Sequence, residues 1–214
     1  FCAKPIVMTL PRAMQAIRVE SPGANARLVL GELPVPQPRP DEILLKVEAA
    51  GVNRADLLQA HGRYPPPKGV PATPGLEAAG TVAAIGADVR NWKIGERVCV
   101  LVAGGGYAQY CVAHEGAVLP LPKAMDMIHA AALPEACSPA WTNITGGGRL
   151  APGETLLIRG GASGVGHIAI QIFAARGHRV FTTAGSSDKC ALAMKLGAAR
   201  AVNYRDEDFV EIVK

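Results

Sequence analysis

Residues 158–171, IRGGASGVGHIAIQ, pass from an apolar strand end through glycines into an amphipathic helix. Small residues between a strand and a helix serve a tight connection, or let a phosphate approach the backbone N–H groups at the helix start. In one register Gly161 and Gly166 take the outer positions of G-x-G-x-x-G, with Ser163 in place of the middle glycine. In another, Gly164, Gly166 and Ala169 fit the G-x-G-x-x-A form. A strand before, a helix after and a second strand beyond are the context a dinucleotide site requires. The amides from Ser163 through Gly164 to Val165 are then the expected pyrophosphate ligands; a tight turn without a ligand is the competing reading.

The tip of the second strand bears on which dinucleotide. Sites that prefer NAD place Asp or Glu there for the ribose 2′-hydroxyl. Here TTAGSSDK sets Gly185, Ser186 and Ser187 at the tip and Lys189 beyond them. An acid would repel a 2′-phosphate, whereas two hydroxyls and an ammonium suit one. Asp188 is the contrary residue, and it also suits the first turn of a helix. Tyr204, in VNYRDED at the end of the third strand, is placed to cover the adenine ribose end. Taken singly, the serines read equally well as caps and Lys189 as a solvated charge; taken together with the missing acid they favour NADPH.

Metal chemistry has little to draw on. The five cysteines are Cys2, Cys99, Cys111, Cys137 and Cys190, far apart and never in C-x-x-C spacing. That pattern suits reduced thiols in a cytoplasmic protein rather than a disulfide framework or a zinc knuckle. The five histidines include no H-E-x-x-H pair, so no metal site is expected. The formal charge of +4 is spread along the chain, which argues against a nucleic-acid face, and no apolar run is long enough for a bilayer. The start, FCAKPIVMTLPRAMQAI, lacks a basic n-region, so residues 1–13 read as an N-terminal extension with Met8 or Met14 as more natural beginnings.

Two halves with different periods position these residues. MQAIRVE, ARLVLGELP, EILLKVEAAGV, EAAGTVAAIG, GERVCVLV and YAQYCVAHEG read as strands, punctuated by SPGAN, VPQPRP, YPPPKG, PATPG and AGGGY. One short helix is expected in NRADLLQAHG. Residues 14–125 therefore read as a β-barrel or sandwich-like domain. Beyond Pro122, DMIHAAALPEACSPAWTNI is helical with expected breaks at Pro134 and Pro139. Strand–helix alternation follows, with Val165, Ile168, Ala169, Ile172 and Phe173 expected on the buried helix face. Residues 126–214 thus read as α/β, a doubly wound parallel sheet of the Rossmann type carrying only its first half. The remaining strands are expected outside this chain.

The stretches LLKVEAAGVNRADLLQAHGRYPPP, PGLEAAGTVAAIG, WKIGERVCVL, GGGYAQYCV, LPEACSPAWTN, LAPGETLLIRGGASGVG and LGAARAVNYRDEDF, in that order, resemble the zinc-free quinone oxidoreductases of the medium-chain dehydrogenase/reductase superfamily. In this resemblance the bacterial relatives of the p53-inducible group are the nearest, with the zeta-crystallin-like group more distant. The resemblance implies a GroES-like β-barrel domain followed by a truncated Rossmann domain, with an active site in the cleft between them. It implies NADPH, a quinone or enone acceptor, and a homodimer at full length. Zinc-dependent relatives carry a cysteine near GVNRADL and a histidine in G-H-E, where this chain has Asn53 to Asp56 and Gly75-Leu76-Glu77. By the same resemblance Tyr64, Asn53 and Asp56 are the catalytic candidates, Tyr64 beside the nicotinamide. Asn53 also reads as a helix N-cap, Asp56 as a first-turn acid and Tyr64 as a packing residue. The chain departs from the family at Pro139, where relatives carry a threonine at the nicotinamide end, with Thr142 and Asn143 close by in sequence. It departs again at Arg159, where relatives carry His or Ala. An enoyl or alkenal reductase and a non-catalytic NADPH-binding protein are the alternative functions.

Overall fold

The computed structural model describes residues 10–214. Cys2 and most of the expected extension 1–13 lie outside them. Two compact units divide after Glu135.

The first unit is built from antiparallel strands. β1 (Ala13–Glu20) and β2 (Arg27–Pro34) form a hairpin. β3 (Glu42–Ala50), β4 (Glu77–Ile85), β5 (Arg97–Leu101), β6 (Tyr110–His114) and β7 (Val118–Pro120) form a sheet in the order β6-β3-β4-β5-β7. Side chains alternate across a strand, so the continuous apolar run in β3 needs apolar cover on both faces. It has it: Ile43 and Leu45 pack with Val82, Val98 and Val100, while Leu44 packs with Met14, Val35 and Tyr110. β3 and β4 approach so closely beside a register shift that a methyl group on Gly80 would lie 2.0 Å from the Lys46 carbonyl oxygen. α1 (Arg54–Ala60) follows β3. α2 (Met127–Ala131), capped by the Asp126 carboxylate on the His129 N–H at 2.9 Å, sets Ala130 and Ala131 against Ala79 and Cys99.

The second unit is a parallel sheet in the order β10-β9-β8. β8 (Thr155–Arg159), α4 (Gly164–Ala175), β9 (Arg179–Ala184), α5 (Ser187–Lys195) and β10 (Arg200–Asn203) alternate as expected, and α6 (Phe209–Val213) closes the chain. Its core joins Ala169, Ile170 and Phe173 of α4 to Ile158, Val180, Ala193 and Ala201. Gly177 and Gly197 end α4 and α5 with positive φ, a backbone state that a side chain disfavours.

Three local expectations change. β7 was not foreseen, because three residues ending in a proline carry no alternation. α4 buries Gly166, Ala169, Ile170 and Phe173, with Ile172 packed partly buried against the same core, while Val165 is exposed and Ile168 lies outside the core cluster. His167 and Gln171, four apart, mark the polar face, and the buried face opposite them is rotated from the expected one because Gly166 and Ile170 take the place of Val165 and Ile168. The chain does start a new helix at Pro134, but that helix, α3 (Pro134–Trp141), runs through Pro139 instead of breaking there. It widens afterwards into a π-helical turn, Thr142–Gly147. There the Thr142 and Thr145 hydroxyls donate to the Ser138 and Trp141 carbonyls at 2.8 and 2.7 Å. No helix among the described residues is long and apolar enough to cross a membrane.

The glycines separate into two kinds that a urea titration distinguishes. Gly80→Ala should lower stability by about 1–3 kcal/mol through overpacking. Gly146→Ala, where a Cβ meets nothing within 4 Å, should be neutral or stabilise by up to about 1 kcal/mol. Equal midpoints for the two variants would refute the close β3–β4 contact.

Candidate functional site

The start of α1 carries two of the expected catalytic residues, and both are engaged. Asn53 is the N-cap, and its backbone N–H donates to Asp56 Oδ2 at 2.8 Å. Its side-chain amide donates to Glu77 Oε1 at 2.8 Å. Asp56 is 5% exposed and accepts two further bonds, from Gly75 N at 3.1 Å and from the Tyr107 hydroxyl at 2.7 Å. Glu77 is 3% exposed, and its second oxygen accepts from Glu135 N at 2.8 Å, near the start of α3. A methyl group on Gly51 would lie 2.1 Å from Glu77 Oε1, so glycine is required for this carboxylate to fit.

These two carboxylates shape the protonation of their neighbours. Burial, then the hydrogen bond to Asp56, raises the Tyr107 hydroxyl well above the usual phenol range. Burial, then the charges of Glu77 and Asp56, raises the Glu135 carboxyl. Tyr107 is therefore a donor throughout the working pH range. Tyr107 and Glu77 were not among the expected site residues. Tyr107 lies 51 positions from Asp56 in sequence, and only the fold brings them together. Tyr64 sits on the loop after α1 and is 46% exposed; among the described residues no hydrogen bond joins it to Asn53 or Asp56.

The cluster does not fit a zinc ion. Its acceptors are carboxylates already occupied by N–H and O–H donors, with no cysteine or histidine among them. Among the described residues no group of three His, Cys, Asp or Glu side chains converges as a ligand set.

The glycine turn between β8 and α4 is shaped by two threonines of β9. The Thr183 carbonyl accepts from Gly161 N at 3.0 Å, and its hydroxyl oxygen accepts from Gly160 N at 3.2 Å. Thr182 is fully buried, and a methyl group on Gly161 would lie 2.2 Å from its hydroxyl oxygen. A methyl group on Gly166 would lie 2.4 Å from the Gly160 carbonyl oxygen. These two glycines therefore serve the tight connection. Gly164 is different: a Cβ there meets nothing within 4 Å. Ser163 caps α4 by accepting from Gly166 N at 3.1 Å, which leaves the first-turn amides of Gly164 and Val165 without an intrahelical acceptor. Room above unpaired amides at a helix start fits a phosphate group.

The remaining candidates gather at the ends of β9 and β10. The Tyr204 amide donates to the Ala184 carbonyl at 3.1 Å, and the phenol oxygen lies 2.5 Å from where a Cβ on Gly185 would stand. Gly185 thus admits the Tyr204 ring. Ser186 caps α5, its hydroxyl oxygen accepting from Lys189 N at 3.4 Å. Lys189 is exposed, and among the described residues no carboxylate pairs with its ammonium. Both groups of residues lie at the carboxyl ends of parallel strands, where open α/β sheets bind ligands. Arg159 stacks over Phe209 at 5.8 Å, an aromatic contact at the end of β8. Asp56→Ala strips the acceptor from three donors; the expected loss is on the order of 3 kcal/mol in urea unfolding, and a loss below about 1 kcal/mol contradicts the network.

Comparisons with known proteins follow this geometry. Residues 39–123 match the alcohol dehydrogenase GroES-like domain, and residues 164–214 match the zinc-binding dehydrogenase family. The chain is 32% identical over 205 residues to a quinone oxidoreductase of Rattus norvegicus, covering 95% of this chain and 62% of that protein. It therefore spans less than two thirds of the length of that relative. The quinone oxidoreductase structure from Coxiella burnetii superposes with a TM-score of 0.79 at 31% identity, over 94% of this chain and 66% of the other. The CurK enoyl reductase structure superposes with a TM-score of 0.81 at 28% identity, over 95% and 63%. The first unit is accordingly a GroES-like domain and the second a Rossmann-type domain. With both matched in order along one sequence, the chain belongs to the quinone oxidoreductase-like family of medium-chain dehydrogenases/reductases.

Proposed function

We propose that this chain is part of an NADPH-dependent quinone oxidoreductase that works without zinc, with residues 14–125 as its β domain and 126–214 as the first half of its coenzyme domain. The observation that carries the coenzyme assignment is the open space over Gly164 beside the unpaired amides of Gly164 and Val165. Those amides hold the pyrophosphate, with Ser163 fixing the turn and Gly161 and Gly166 allowing it. Ser186, Lys189 and Tyr204 hold the adenosine 2′-phosphate around Gly185, where an acidic residue is missing. Bound there, NADPH supplies a hydride to an acceptor whose own conjugated carbonyls delocalise the charge.

The chain's other residues orient the acceptor rather than polarise it through a metal. Tyr64, half-exposed on its loop, donates a hydrogen bond to the oxyanion that develops on the acceptor, a role that water shares, and solvent supplies the proton. Asn53 and Asp56 fix the start of α1 below that loop. The occupied carboxylates of Asp56 and Glu77 leave no ligand set for zinc, which is the reason for a zinc-independent reaction. A homodimer in the cytoplasm belongs to the same proposal and rests on the family. A second reading, an enone reductase, is favoured by the similarity to the CurK enoyl reductase. Relative turnover of quinones and enones with NADPH separates the two; coenzyme binding with neither turnover points to a non-catalytic binding protein.

Two binding measurements test the coenzyme assignment. Lys189→Ala should weaken NADPH by about tenfold or more while changing NADH little, from the loss of one charge-assisted bond. Equal losses for both coenzymes would count against the 2′-phosphate pocket. Gly164→Val should keep the melting temperature within a few degrees, because no protein atom stands in its way, yet abolish calorimetric NADPH binding. Retained binding would place the diphosphate elsewhere.

A further inference from the structure

Loop 61–76 carries Tyr64 between α1 and β4, and its return leg is fastened by side chains from outside it. Gln59, 7% exposed on α1, donates its side-chain amide to the Ala72 carbonyl at 3.0 Å. Asp56, also on α1, takes the Gly75 amide. The backbone of 105–107 zips to the same leg: Gly105 N to Thr73 O at 2.8 Å, Gly106 N to Gly75 O at 3.0 Å, and Tyr107 N to Pro74 O at 2.9 Å. Gly75 has a φ of +100° and would place a Cβ 2.5 Å from Tyr107 N, so the two segments meet with no room for a side chain. Across this seam the Tyr107 hydroxyl reaches Asp56 Oδ2, the oxygen that also receives the Asn53 amide.

We propose that Tyr107 is a positioning residue: acting through Asp56, it locks the return leg of the Tyr64 loop onto α1 and so sets where the Tyr64 hydroxyl stands. The loop's outer part, 63–71, is held by the Arg63 amide on the Leu58 carbonyl at 2.8 Å and the Val70 amide on the Pro67 carbonyl at 3.1 Å, while three consecutive prolines at 65–67 remove the backbone donors in between. One carboxylate therefore serves the N-terminus of α1, the return of the loop and the 105–107 segment together. Loss of the phenol hydroxyl leaves Asp56 with two donors; the Gln59, Gly75 and 105–107 bonds still hold the leg, but the side-chain tie from Tyr107 to α1 is gone and the seam loosens while the strands keep their pairing.

The inference rests on the proposed role of Tyr64 at the acceptor, and its test separates the two. Acceptor KM and kcat are measured with saturating NADPH for the full-length protein that carries this chain, unmodified and as Tyr107→Phe, Tyr64→Phe and the double variant. Tyr107→Phe should raise KM about tenfold, the worth of one hydrogen bond to a charged group, with kcat changed less than about twofold. In the Tyr64→Phe background the same substitution should raise KM less than about twofold, because the residue being positioned is gone. Equal increases in both backgrounds overturn the proposal. Hydrogen exchange of the same proteins gives a readout independent of turnover: the amide of Gly75, which donates to Asp56, and those of 105–107, which donate to the leg, should exchange at least about tenfold faster in Tyr107→Phe, with β4 and β5 unchanged. Unchanged exchange at Gly75 and 105–107 overturns the latch whatever the kinetics. Absent turnover by the unmodified chain, combined with faster exchange in the variant, sinks the functional reading and leaves the latch standing.

Discussion

The first turn of α4 presents backbone N–H groups that the helix itself cannot satisfy. In most helices a side chain or water covers them. Here Ser163 takes the Gly166 amide, and above Gly164 there is open space. The surrounding architecture holds that arrangement. β8 delivers the chain to the turn, Thr182 and Thr183 of β9 shape it, and the α4 core of Ala169, Ile170 and Phe173 anchors the helix behind it. A polar end aimed at open space and an apolar body sunk in a core give the proposed anion site a rigid mount.

The first unit solves a different problem, that of burying two carboxylates. Asp56 and Glu77 are almost wholly removed from water, which is tolerable only because each oxygen meets donors. The same donors come from sequence-distant segments, so burying the charge specifies how α1, the loop ends and the start of α3 come together. Residues that family resemblance marks as catalytic thus have a structural duty that is visible in their bonds. Tyr64 alone among them keeps an unengaged hydroxyl, and for that reason the chemistry is assigned to it.

Legibility in the sequence followed the physics of each feature. The strands of the first unit were readable because alternation and Gly/Pro turns are local, as were the caps Asn53 and Ser186 and the helix ends at Gly177 and Gly197; the cap at Ser163 was not, since that serine reads as a substitute for the middle glycine. The rotation of α4 was less readable, since isoleucines at 168, 170 and 172 flank both sides of the narrow polar face made by His167 and Gln171. Pro139 reads as a break because a missing N–H weakens a helix, but α3 runs through it and the irregularity comes after it, in the π-helical turn Thr142–Gly147. The Tyr107 and Glu77 bonds were out of reach, for each joins residues dozens of positions apart. So were Thr182 and Thr183, whose hydroxyls in an otherwise apolar strand were the one available hint that a neighbouring turn needed partners.

Similarity to both a quinone oxidoreductase and an enoyl reductase fits a scaffold in which coenzyme grip and acceptor choice reside in separate structural elements. The coenzyme grip is the central claim, and a heteronuclear NMR titration of the chain with NADPH tests it residue by residue. The account predicts saturable shifts of the Gly164 and Val165 amides, with Ser186 and Lys189 responding at the same coenzyme concentrations and far less to NADH. Saturable NADPH binding that leaves the amides of 161–166 unmoved would contradict it.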